Sequence, residues 1–212
     1  GRTREPIDTG TAGFEGVLTL PFAQYYDLTH DPVAREYLDK FIRFLLERST
    51  DYNPDGSFTR NDVTSGQVWS RMMTMEGILL YGLAVGRQDL VDWARMAFDR
   101  NLALHGTRFG WLPENLAFNH GLGCETDTMT AQTEIAFALA RTVDDGYWEV
   151  AERIAMNQLL AQQLIRVDFL GNYLPLLGGF ASFCSPNDWW TAEGQYITQS
   201  SHGSGMRALY NV

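Results

Sequence analysis

Three short turns punctuate the chain: "LTHDPV", "AVGRQDLV" and "TVDDGYW". They recur roughly every 57 residues, a spacing that suits stacked helix pairs. A segment rich in aromatic or aliphatic residues precedes each turn, and an amphipathic one follows it. This repetition limits the possible folds more than any other feature. It predicts an all-α chain of antiparallel helical hairpins, with inner helices apolar on nearly all sides and outer helices apolar on one. An α/α toroid meets that description, and so does a helical-repeat scaffold.

Local signals place the elements. Phe14, Val17, Leu18, Phe22, Tyr25 and Tyr26 fall at helical spacing in 13–28. Asp31 suits an N-cap and Pro32 the first helical position, where its missing N–H costs nothing. The helix that follows is expected to reach about Arg48, with Tyr37, Phe41, Phe44 and Leu45 facing inward. "STDYNPDGSFTRND" reads as a loop from its turn residues. A strongly apolar helix over 67–85 pairs with "LVDWARMAFDRNLALHG", which Gly106 closes at C′. After "CETD" the third pair is "TMTAQTEIAFALARTV" and "YWEVAERIAMNQLLAQQLI". Over about 167–198 the pattern changes to glycines, prolines and short β-prone runs, "VDFLGNYLPLLGGFASFCSPNDWW". Long aromatic-rich loops often carry function, and a rim hairpin closing a gap in the core is the plainer reading.

Composition narrows the function. With 212 residues the chain reads as a single domain over 1–212. A net charge of -10 argues against nucleic acid and anionic membranes as partners. No apolar run approaches a membrane span and no signal peptide is visible in this chain, as in a soluble protein; the composition sets neither compartment nor oligomeric state. The two cysteines, Cys124 and Cys184, form no CxxC pair, so a disulfide framework is not indicated. Six Trp, nine Tyr and twelve Phe mostly serve a core, and a few on a concave surface would suit sugar stacking.

Two stretches carry candidate chemistry. In "CETDTMT", Glu125 and Asp127 sit at a helix start, where carboxylates offset the positive end of the helix dipole. The functional reading is a catalytic or metal-binding carboxylate pair. In "SSHGSG", Ser200, Ser201 and His202 lead through glycines toward an apolar helical pattern. Such a turn can present N–H groups to an anion or polar ligand, or serve as an ordinary cap. No Ser-His-Asp spacing, P-loop or dinucleotide fingerprint is present.

Several motifs in order, "CETDTMTAQTEIAFALA", "DGYWEVAERIAMNQLLAQQL", "GGFASFCSPNDWW" and "QSSHGSGMRALYNV", resemble the β-L-arabinofuranosidase-like proteins, glycoside hydrolase family 127 and its broader relatives. The resemblance covers roughly the second half of the chain; the first half agrees only as helical hairpins. It implies an (α/α)6 barrel, commonly followed by β-sandwich domains. At about fifty residues per hairpin, this chain is expected to supply part of such a barrel and to be truncated within "RALYNV". In that family one Glu and three Cys hold zinc, and one thiolate is the nucleophile. The Glu falls on Glu125, but the cysteines fall on Asp127, Ser200 and Ser201. Serine hydroxyls are poor zinc ligands and, without a base, poor nucleophiles. The zinc-cysteine mechanism is therefore not expected, while a weak calcium at Glu125 and Asp127 is allowed.

Three readings follow. The first is a glycosidase working through carboxylates, with Glu114 of "GWLPEN" and Glu125 or Asp127 as acid and base. The second is a catalytically silent carbohydrate-binding relative, with Trp111, Trp189 and Trp190 as a sugar platform. The third is a helical scaffold.

Overall fold

A computed structural model describes residues 15–59, 67–116, 124–163, 178–180, 183–184 and 201–211. The described residues are mostly helical, as expected. The chain divides into two compact units: Gly1–Leu104 with Asn115–Phe118, and His105–Glu114 with Asn119–Val212. No described helix is long and apolar enough to cross a membrane.

The first unit holds α1 (Thr19–Thr29), led in by a 3-10 turn, then α2 (Pro32–Glu47), α3 (Val68–Val85) and α4 (Gln88–His105). Both of its tight turns form by local chemistry. His30 closes α1 in the left-handed region, its N–H donating to the Tyr26 carbonyl at 2.7 Å. The Asp31 carboxylate then accepts from the Val33 N–H at 2.8 Å and caps α2, with Pro32 in the first turn. Gly86 closes α3 at φ 70°, a backbone conformation that costs glycine least. Gly106, assigned that role after α4, is absent from the glycines with positive φ.

The contrast between inner and outer helices is present. On α3, residues around the whole circumference are buried, from Val68 and Met72 to Tyr81 and Gly82, including Arg71 and Glu76. On α2 only Ala34, Leu38, Ile42 and Leu45 are buried. That stripe corrects the expected one. Tyr37, Phe41 and Phe44 are half-buried on its flank, stacked on one another with centroids 5.2 and 6.4 Å apart. α1 packs on α3 with one face only, where a Cβ on Gly77 would lie 2.5 Å from the Leu20 nitrogen. Its other face leaves Leu18, Phe22, Tyr25 and Leu28 exposed, so α1 is not an all-round inner helix.

The second unit holds β1 (Cys124–Glu125), α5 (Thr126–Thr142), α6 (Tyr147–Ile154), β2 (Phe183–Cys184) and α7 (Ser201–Asn211). Asp144 turns α5 into α6 by accepting from the Gly146 N–H at 2.9 Å. α6 does not run on as the even helix expected. It passes into a π-helical turn at Ala155–Leu159 and a 3-10 turn at Leu160–Gln162. β1 and β2 pair antiparallel, which places one short strand in the expected β-prone excursion.

Candidate functional site

The candidates that the structure describes belong to the second unit and lie on three pieces of chain. The first is the loop after α4. Its turn is tied by Gly110 N–H to the Thr107 carbonyl at 3.0 Å and Thr107 N–H to the Trp111 carbonyl at 2.9 Å. Gly110 adopts φ 87°, and a Cβ there would meet the Ile154 side chain at 2.6 Å. Only glycine satisfies both the backbone angle and that approach. The Gln132 amide of α5 donates to the Gly110 carbonyl at 3.4 Å. Glu114 follows three residues after Trp111 and is half-buried. Burial pushes its carboxyl up to about 7, because the low-dielectric surroundings disfavour the anion.

The Trp111 ring is 8% exposed. Its handle for a ligand is therefore the buried indole N–H, which has no hydrogen-bond partner among the described residues, rather than an open stacking face.

The second piece is the junction of β1 and α5. Glu125 occupies the N-cap position of α5 at φ -81°, ψ 139°, and its side chain makes no capping bond. Asp127 lies in the first turn, buried. Thr126 fixes the junction from the other side, its hydroxyl donating to Gln162 Oε1 at 2.8 Å. The Gln162 side chain is fully buried at the end of the 3-10 turn that follows the π-helical one. A π turn inserts one residue into the helical register, and here polar Gln158 and Gln162 both end up buried.

The first half of α5 is polar yet buried all round: Thr126, Asp127, Thr128, Thr130, Gln132 and Thr133. Glu125, Thr128 and Gln132 recur at helical spacing and share one face. Among the described residues Thr128 Oγ1 and Gln132 Oε1 have no hydrogen-bond partner, nor has Thr130 Oγ1 on another face. Each such atom costs roughly 1–3 kcal/mol unless water or a ligand meets it. Sequence reasoning did not single out these residues. The available signal was Thr126, Thr128, Thr130 and Gln132 at every second position in a helix otherwise apolar enough to be interior.

The third piece is α7. The helix already includes Ser201, His202, Gly203 and Gly205, which corrects the expected Gly-rich turn ahead of it. Packing explains why glycine is kept inside a helix, where it costs about 1 kcal/mol relative to alanine. A Cβ on Gly205 would overlap the Phe180 ring, and Phe180, Leu159 and Ala208 form one buried cluster. Arg207 anchors α7 to α5 with a two-pronged pair to Glu134, at 2.9 and 2.6 Å. Ser200, Trp189 and Trp190 lie outside the described residues. A meeting of Glu125 with Ser200 across one pocket therefore lies outside them too.

A cavity of about 490 Å³ occurs in the first unit, lined by Asp39, Arg43, Glu47, Tyr81, Arg87 and neighbours. None of the sequence candidates lines it. Its polar groups largely answer one another: the Tyr81 hydroxyl donates to Asp39 at 2.7 Å, and Arg87 forks onto Asp89. The perturbed Glu114 carboxyl and the buried polar run of α5 make the second unit the better candidate.

No family model and no curated protein matches the chain. Among solved structures it is similar to cellobiose 2-epimerase from Spirochaeta thermophila DSM 6192, with a TM-score of 0.58 and 16% sequence identity over 85% of this chain. That protein is an (α/α)6 barrel enzyme. At this identity the likeness shows the fold alone. The chain spans about half of the matched structure, 48% of its length.

Proposed function

We propose that this chain is a carbohydrate-active, glycoside-hydrolase-like protein that acts on a glycan by carboxylate chemistry. The observation that carries the reading is Glu114, a half-buried carboxyl pushed up to about 7. At neutral pH such a group still holds a proton for a large part of the time, as an acid that protonates a glycosidic oxygen must. The partner role needs an ionised carboxylate, to stabilise the oxocarbenium-like centre or to activate water, and it falls to Glu125 or Asp127. Thr128, Gln132 and the Trp111 N–H supply buried donors and acceptors of the neutral kind that match sugar hydroxyls. The carbohydrate-processing neighbour of similar fold supports the ligand class.

The resemblance to the β-L-arabinofuranosidase-like proteins adds a finer placement, as a relative whose zinc chemistry has been replaced. Asp127, Ser200 and Ser201 stand where that family has thiols, and hydroxyls do not supply the soft donors that hold its zinc. Among the described residues no three His, Cys, Asp or Glu side chains group as metal ligands. Glu125 and Asp127 alone make at most a weak calcium site.

A panel of aryl glycosides and a glycan array test the proposal. Turnover of at least one glycoside is expected, with Glu114→Gln and Glu125→Gln each losing about a hundredfold or more while remaining folded. Glycan binding without turnover would replace it by the carbohydrate-binding reading. Neither binding nor turnover would refute both and leave the helical scaffold.

A further inference from the structure

The chain has only two cysteines, and sequence spacing gives no reason to connect them. The structure does. In the antiparallel pair of β1 and β2, Cys124 is the register partner of Cys184, and Glu125 is the partner of Phe183. Residues directly opposite in such a pair have Cα atoms roughly 4.5 or 5.5 Å apart, according to whether the pair exchanges hydrogen bonds. Both values fall in the range of about 4.4–6.8 Å that a disulfide spans. Opposed residues also occupy the same face of the ladder. Chance rarely puts a chain's two cysteines at one rung of a two-residue ladder.

We propose that Cys124 and Cys184 form an oxidation-dependent disulfide that locks β2 onto the strand leading into α5. The oxidant is a low-molecular-weight disulfide of the glutathione type. One cysteine thiolate attacks a sulfur of that disulfide, breaking its S–S bond and releasing one small thiolate, which takes up the proton. The second cysteine thiolate attacks the mixed disulfide and expels the other small thiol. Two protein thiols become one disulfide, and one small disulfide becomes two small thiols. Cys124 is fully buried, so the exchange takes place during folding or when the short ladder opens locally. The same burial protects the finished bond from reductant. The bond sits one residue from Glu125, at the N-cap position of α5, but the inference does not depend on the carbohydrate reading.

The test uses the full chain refolded in mixtures of reduced and oxidised glutathione, then alkylated and mapped as peptides without reduction. With oxidised glutathione in excess, the expected product is a monomer lighter by two hydrogen atoms. It should carry a single linked peptide joining Cys124 to Cys184, and its thermal midpoint should lie several degrees above that of the reduced form. Cys124→Ser and Cys184→Ser should each abolish the link and the redox dependence of the midpoint. The wild-type peptide map decides the matter even if a variant folds poorly. Two alkylated thiols at every ratio, two stable glutathione adducts, or cross-links only between chains would each overturn the proposal.

Discussion

Glu114→Gln is the sharpest test of the electrostatics. The carboxyl moves from its ordinary 4.5 to about 7 because burial penalises its anion. Between those values the folded protein binds more protons than the unfolded chain, so stability falls as pH rises from about 4.5 to about 7. At about 1.4 kcal/mol per tenfold change in acidity, complete shielding would make the loss roughly 3 kcal/mol. Glu114 is only half-buried, and solvent screening reduces the expected effect to about 1–2 kcal/mol. The glutamine variant keeps the shape and lacks the titration. Near pH 4 it should match the parent, and at pH 8 it should be more stable by about 1–2 kcal/mol. Urea unfolding of both proteins at about one-unit steps across that range reads the difference, in which the other titrating groups cancel. A difference that stays flat with pH would refute the argument that Glu114 holds its proton to near neutrality.

Three further outcomes follow from the packing and the site. Gly205→Ala should destabilise by about 1–3 kcal/mol, because the added methyl overlaps the Phe180 ring. Gly203→Ala in the same helix meets nothing within 4 Å and should be neutral or stabilising by up to about 1 kcal/mol; thermal unfolding of the pair separates packing from helix propensity. Arg207→Ala removes the guanidinium from a Glu134 side chain that is 9% exposed. It should cost about 2–4 kcal/mol by chemical denaturation, and a double-mutant cycle with Glu134→Ala should recover part of that loss. If turnover is found, its rate should fall on the alkaline side with a midpoint near the Glu114 value of about 7, and this limb should vanish in Glu114→Gln.

What could be read from the sequence divides along the range of the interactions. Turns closed by their own residues were readable: Asp31 caps α2 with its own carboxylate, and Asp144 turns the chain onto Gly146. The extent of α3 followed for the same reason, since periodicity is a local property; it begins at Val68 and ends at Val85, close to the expected span. Features decided by a distant partner were not readable. The buried stripe of α2 is Ala34, Leu38, Ile42 and Leu45, set by the helices it packs against, and no count of aromatic residues reveals that. Gly205 looked like turn punctuation and is a contact surface for Phe180, 25 positions earlier in the chain.

The candidate site divides in the same way. Glu114, Glu125 and Asp127 could be picked out as carboxylates, yet their chemical character depends on what surrounds them. Nothing in "GWLPEN" distinguishes a solvated glutamate from one raised to about 7; burial supplies that. The polar run of α5 is a clue present in the sequence itself. A helix carrying Thr128, Thr130 and Gln132 among Met129, Ala131 and Ile135 is too polar for an ordinary interior and too apolar for a surface. Folding buries those side chains whatever their polarity, because the helix is held by α6 on one side and α7 on another. The unmet atoms at Thr128, Gln132 and Trp111 are then a standing cost to the folded state. A sequence that keeps such a cost in the same unit as a perturbed carboxyl has a use for polar groups in its interior, and a sugar hydroxyl or an ordered water is what would meet them.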